Sequence, residues 1–180
     1  SEAALMQARR VREAKLFSMT TGLMHFAFLQ ILLGALVAGI DAGRAFPTWP
    51  DMNGSFFPAD AFYVPDANGG VKAVWTAFFE NAGLVQFIHR MSAYLLFGFG
   101  VMVWLRGRRS THGATRRAFN AMMFMLVAQM GIGIATALTA AHVDVAITHQ
   151  IGAVILWVLI IRARHLAIYP IAGSIREGTA

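Results

Sequence analysis

The chain has 180 residues, 15 Lys plus Arg against 9 Asp plus Glu for a formal net charge of +6, 57% hydrophobic and 13% charged residues, and no cysteine. A soluble domain runs at roughly 45 to 50% apolar and about 25% charged, so this balance excludes most water-soluble enzymes and puts the chain in a bilayer. Without cysteine there is no disulfide scaffold, no thiolate-held zinc or iron–sulfur centre and no thiol nucleophile, and any metal chemistry falls to His, Met or carboxylates.

A bilayer core about 30 Å thick takes about 20 apolar residues of helix, and four stretches meet or approach that length. In chain order, a basic segment over residues 1–15 leads into a first span at about 16–40, which lacks Asp, Glu, Lys and Arg after Lys15. A long connection, 41–79, precedes a second span at about 81–105 whose one basic residue is Arg90. A loop with Arg106, Arg108, Arg109, Arg116 and Arg117 leads to an uncharged third span at about 118–141, then a short turn, a fourth span at about 143–165 and a tail over 169–180. The expected fold class is all-α: an integral-membrane four-helix bundle over 16–168, with a long ordered outer loop between helices 1 and 2. The first span is too long for a signal-peptide core and leads into no small-residue cleavage pattern.

Basic residues fix the expected orientation. Arg9, Arg10, Arg12 and Lys15, the five arginines of the second connection, and Arg162, Arg164 and Arg176 put twelve of fifteen on one side. The first connection carries only Arg44 and Lys72. Both termini are therefore expected in the cytoplasm of a bacterium, or in the matrix of a mitochondrion. This placement accounts for the basicity without nucleic acid, and without a lipid-binding role for the 106–117 loop. The first connection also holds four of the five prolines together with Trp49, Asn53, Gly54, Phe56, Phe57, Phe62, Tyr63 and Trp75. So many aromatic residues argue for an ordered cap on the outer face rather than disorder.

The second and fourth spans carry a repeat. His89-Arg-Met-Ser-Ala-Tyr-Leu-Leu96 aligns with His149-Gln-Ile-Gly-Ala-Val-Ile-Leu156, and a weaker echo puts Gln30 four residues before Gly34 and Gln129 four residues before Gly133. Two copies of a helix pair that run the same way through the membrane are related by a pseudo-two-fold axis along its normal, which sets His89 opposite His149. An ionisable side chain at membrane depth usually marks a site with a partner. Small residues near each histidine, including Ala93 and Gly152, leave room for something flat. Two facing imidazoles with no Cys, and no carboxylate one turn away, suit axial ligation of a haem iron better than zinc. A b-type haem is implied, because Cys-x-x-Cys-His attachment is impossible. Arg90 would either snorkel to the headgroups or pair with a haem propionate, with Arg44 and Lys72 as weaker candidates.

Other residues have plainer readings. His25 is expected as a hydrogen-bonded core residue, and His112, His142 and His165 as solvated surface. The methionines serve packing, and Gly34, Gly131 and Gly133 serve close helix approach.

The blocks Gln30-Ile-Leu-Leu-Gly-Ala-Leu-Val-Ala-Gly-Ile-Asp-Ala-Gly43, Thr48-Trp-Pro-Asp-Met-Asn-Gly54, Phe78-Phe-Glu-Asn81, Gln86-Phe-Ile-His-Arg90 and His149-Gln-Ile-Gly-Ala153 resemble the C-terminal half of haem A synthases, from about Leu16 to about Leu166. The resemblance implies an inner-membrane oxidoreductase that converts the C8 methyl of haem O to a formyl group for terminal-oxidase assembly. It also implies two similar four-helix halves, with His89 and His149 as axial iron ligands of a haem b in this one. The residue three before His89 is Gln86, where the family's substrate half carries a glutamate, so this half is expected to relay electrons and its catalytic residues stay unassigned. The implied partners are the N-terminal half or a homologous chain, haem O as substrate of the whole enzyme, and the lipid bilayer. A homo-oligomer or larger membrane complex is compatible with the sequence. Asp51 departs from the family's usual Trp-Pro-Leu-Met. The alternative is a non-catalytic structural or assembly subunit of a respiratory or photosynthetic complex.

Overall fold

Apolar runs without proline can satisfy their backbone in lipid only as helices, and the chain forms four of them. In the computed structural model these are α1 (Ala14–Gly39), α2 (Ala82–Gly107), α3 (Gly113–Leu138) and α4 (Val143–Ile168), each of 26 residues. The structure describes Met6 and residues 13–170; Arg9, Arg10, Arg12, Arg176 and nearly all of the expected tail lie outside the described residues. There is no named strand among the described residues, only two isolated bridges.

All four helices are long and apolar enough to cross a membrane. At about 1.5 Å per residue each is about 39 Å long, more than a hydrocarbon core of about 30 Å requires. Large apolar side chains stay exposed on every one of them, among them Leu32, Leu95, Phe124 and Val158. A surface of this kind suits lipid, and the chain is a membrane protein. Thr20, Thr21, Thr136, Thr139 and Thr148 turn their hydroxyls back to the carbonyl four residues earlier, so these polar groups are satisfied within their own helices.

The residues group into two compact units, and each long helix contributes to both. Among the described residues the first draws on 13–28, Leu96–Ala128 and 154–170. Its core joins Leu16, Leu23, Val103, Phe119, Met122, Leu126, Leu156 and Ile160. A Cβ on Gly100 would collide with Leu126 and one on Gly107 with the Phe119 ring, so these glycines let α2 and α3 approach. Trp157 donates its indole N–H to the Met24 carbonyl at 3.1 Å, and Arg164 donates to the Thr21 hydroxyl at 2.8 Å while lying over the Phe17 ring.

The second unit comprises Leu29–Leu95 and Gln129–Ala153. Its long connection, from the end of α1 to the start of α2, contains two 3-10 turns, Ala42–Arg44 and Val74–Thr76, and one α-helical turn, Ala77–Glu80. A small core of Ala61, Val64, Ala77 and Leu84 sits beneath it. Asn81 joins the connection to α2: its side-chain Oδ1 accepts from the Leu84 amide at 2.8 Å, and its side-chain nitrogen donates to the Asp60 and Tyr63 carbonyls at 2.8 and 2.9 Å. Gly83 faces Pro58 so closely that a Cβ would lie 2.9 Å from the ring, which explains a glycine in the first turn.

The helix ends differ from those of the apolar stretches that announce them. α3 begins at Gly113, five residues ahead of the expected Ala118, because Thr115, Arg116 and Arg117 form its polar first turn. Arg116 secures that turn by donating to the Ser110 carbonyl at 2.8 Å.

Candidate functional site

The site lies in the second unit and is built twice. On α1, Gln30 directs its side-chain nitrogen at the backbone carbonyl of His89 on α2, at 3.0 Å. On α3, Gln129 directs the same atom at the backbone carbonyl of His149 on α4, at 2.8 Å. One turn beyond each glutamine is a glycine that makes room for the imidazole. A Cβ on Gly34 would lie 3.1 Å from Cε1 of His89, and one on Gly133 would lie 3.0 Å from Cε1 of His149. Both rings thus rest edge-on against the neighbouring helix at a position where alanine would push them away. Both histidines are half-buried.

One difference between the copies bears on the glutamine. Ser92, three residues after His89, donates its hydroxyl to Oε1 of Gln30. That fixes the carboxamide, whose nitrogen lies 3.1 Å from Nδ1 and 3.4 Å from Nε2 of the His89 ring. The position three after His149 is Gly152, which has no hydroxyl. Accordingly Oε1 of Gln129 and Nδ1 of His149 are both buried without a hydrogen-bond partner. Buried polar atoms are nearly always paired, so a bare imidazole nitrogen here suits a group supplied from outside the chain. Oε1 of Gln86, one turn before His89, is also buried and unpaired.

Arg90, only 8% exposed, closes its fork on the long connection, donating from its two terminal nitrogens to the carbonyls of Asp51 at 2.8 Å and Phe46 at 2.7 Å. The segment between is braced by Asn53, which donates to the Ala45 carbonyl at 3.1 Å, and by Trp49, whose indole donates to the Tyr94 hydroxyl at 2.8 Å. Because Arg90 meets Asp51 through the main chain, the unusual side chain there leaves this contact unaffected. Arg44 lies 3.4 Å from Asp41 and Lys72 lies 2.6 Å from Glu80, both in exposed ion pairs.

The other histidines lie apart from the pair. His25 is exposed, in the first unit, where a hydrogen-bonded core position is expected. His142 is at the surface 3.9 Å from Asp144, and the exposed His165 ring stacks on Tyr169. The roles of Gln30, Gln129 and Ser92 go beyond the sequence reading, although the Gln-x-x-x-Gly echo is the trace they leave in it. Gly34 and Gly133, expected to serve helix approach, seat the imidazoles.

Among the described residues no group of three or more His, Asp or Glu side chains could hold a metal ion. Two imidazoles alone make a complete site only for a metal that brings its other ligands, as a haem iron brings four ring nitrogens. The glycine-backed rings fit that requirement.

Fold and site together define an all-helical membrane protein with a duplicated Gln–Gly–His cradle. The chain belongs to the COX15-CtaA family, described as cytochrome oxidase assembly protein, whose profile matches residues 1–161. It is 57% identical to the heme A synthase of Cereibacter sphaeroides strain ATCC 17029 over 181 residues, covering 99% of this chain and 46% of that protein. It is 60% identical over 175 residues to the heme A synthase of Ruegeria sp. strain TM1040, covering 97% and 44%, and 58% identical over 176 residues to that of Paracoccus denitrificans strain Pd 1222, covering 98% and 44%. The chain spans less than half the length of these curated relatives and matches their C-terminal half. The relatives are named as synthases, which places it in an enzyme family. No solved structure matches it significantly.

Proposed function

We propose that this chain is the haem-binding C-terminal half of a haem A synthase, an oxidoreductase that oxidises the C8 methyl of haem O to a formyl group for terminal-oxidase assembly. His89 and His149 would hold the iron of a haem b. The observation that carries this reading is the duplicated cradle, in which each imidazole is seated on a glycine and its residue's carbonyl is held by a glutamine. When bound, the haem supplies reversible one-electron chemistry. The protein would contribute ligands seated on Gly34 and Gly133, and Arg90, which ties the Phe46–Asp51 segment to the helix bearing His89 and has further N–H groups to offer a propionate. Gln86 is an amide and cannot take a proton as a carboxylate would, which supports electron relay rather than substrate oxidation in this half. The partner is the N-terminal half or a homologous chain, and haem O is substrate of the whole enzyme. The same reading puts the chain in a bacterial inner membrane, or a mitochondrial one, with both termini on the cytoplasmic or matrix side.

The test is the reduced-minus-oxidised spectrum of the purified protein. A b-type spectrum that vanishes in His89→Ala and in His149→Ala is expected. A spectrum indifferent to both substitutions would refute the assignment.

A further inference from the structure

We infer that Ser92 and Gln30 form a positioning device for the His89 ring that the second copy lacks, so that the two histidines are held unequally. This rests on the reading of both as ligands. The Ser92 hydroxyl occupies Oε1 of Gln30, which leaves the amide nitrogen facing the His89 carbonyl and the edge of its ring. The carbonyl of His89 is thus held by a carboxamide that is itself anchored. Gln129 holds only the backbone of His149; its own Oε1 is unpaired within a residue 6% exposed, and Nδ1 of the ring has no partner. A single difference in the repeat, Ser92 against Gly152, accounts for the asymmetry.

Groups that orient a ligating histidine commonly change metal affinity by about 10- to 100-fold when removed. Ser92 never touches the iron in this scheme, and it acts through Gln30.

The experiment measures haem loss from the purified haem-loaded protein to excess apomyoglobin, alongside the low-spin ferric electron paramagnetic resonance spectrum. Ser92→Ala and Gln30→Leu are expected to accelerate haem loss about tenfold or more and to move the lowest-field g value, which reports the relative setting of the two ring planes. Ser92→Thr, which keeps the hydroxyl, is expected to restore both to within about twofold, and Gln129→Leu to stay within about threefold of the parent. Should Ser92→Ala not fold, Ser92→Thr and the comparison of Gln30→Leu with Gln129→Leu still decide. Equal acceleration by the two glutamine substitutions, or an unchanged signal in Ser92→Ala and Gln30→Leu while haem still depends on His89, overturns this inference alone. Haem that depends on neither histidine overturns the ligand assignment as well.

Discussion

Gln129 reaches from α3 to the backbone carbonyl of His149 on α4 at 2.8 Å, and Gln30 reaches from α1 to the carbonyl of His89 on α2 at 3.0 Å. In a helix, a carbonyl already accepts from the amide four residues on, so each glutamine uses the second lone pair of an occupied acceptor. The same donor on the same main-chain atom in both copies means that the repeat preserves a tertiary contact, beyond a pattern of residue types.

The glycine seats give the first prediction. Gly34→Ala and Gly133→Ala introduce a methyl 3.1 and 3.0 Å from the imidazole Cε1, closer than ordinary contact allows, so the ring or the helix must shift. Overpacking of this kind typically costs about 1–3 kcal/mol. Haem content after purification is expected to fall in both variants. Gly131→Ala, where nothing lies within 4 Å, serves as the neutral control. Full retention in all three would show that the seats are unimportant.

Arg90 ties the connection to α2 through two carbonyls. Hydrogen bonds from a charged group are worth about 1.5–3 kcal/mol, and Arg90→Gln loses the fork that makes both. Amide hydrogen exchange across residues 45–53 is expected to accelerate at least tenfold in this variant. Protection equal to the parent's would mean that the clamp is redundant.

Asn81 caps α2 and holds two loop carbonyls. Removal of such a cap costs about 1–2 kcal/mol, so Asn81→Ala is expected to lower the thermal midpoint by several degrees. Glu80→Gln breaks the Lys72 ion pair, whose side chains are 38% and 45% exposed, and screening limits the loss to under about 1 kcal/mol. The midpoint of Glu80→Gln should thus stay near that of the parent, and any small deficit should shrink with added salt.

Much of the fold was legible because lipid leaves an apolar run few options, and all four spans could be placed from hydropathy. Their ends could not. Hydropathy marks where a helix meets hydrocarbon, whereas α3 extends through Arg116 and Arg117 at one end and gives way after Leu138 to a turn that holds two alanines with φ of 50° and 54°. The repeat that carries His89 and His149 was legible. Its supports were less so, because a glycine in an apolar helix reads equally as a packing notch, and the carbonyl acceptors of Arg90 lie 39 and 44 residues away without side-chain identity to betray them. His25 misleads for a related reason: a histidine in an apolar run looks buried, yet α1 turns it outward.

Orientation can be checked cleanly because the chain has no cysteine. Ser55→Cys and Thr111→Cys, both exposed, are expected to react with an impermeant thiol reagent from opposite sides of the membrane, Ser55→Cys from outside. Labelling of Thr111→Cys from outside and Ser55→Cys from inside would reverse the proposed orientation, and labelling of both from one side would contradict it.

The most direct test of the two-imidazole site is a haem count with a spin state: pyridine haemochrome against protein concentration, with low-temperature electron paramagnetic resonance of the oxidised sample. One low-spin, bis-imidazole b-type haem per polypeptide is expected, converting to high spin or disappearing in His149→Ala. Two haems per polypeptide, or a spectrum that His149→Ala leaves untouched, would contradict it.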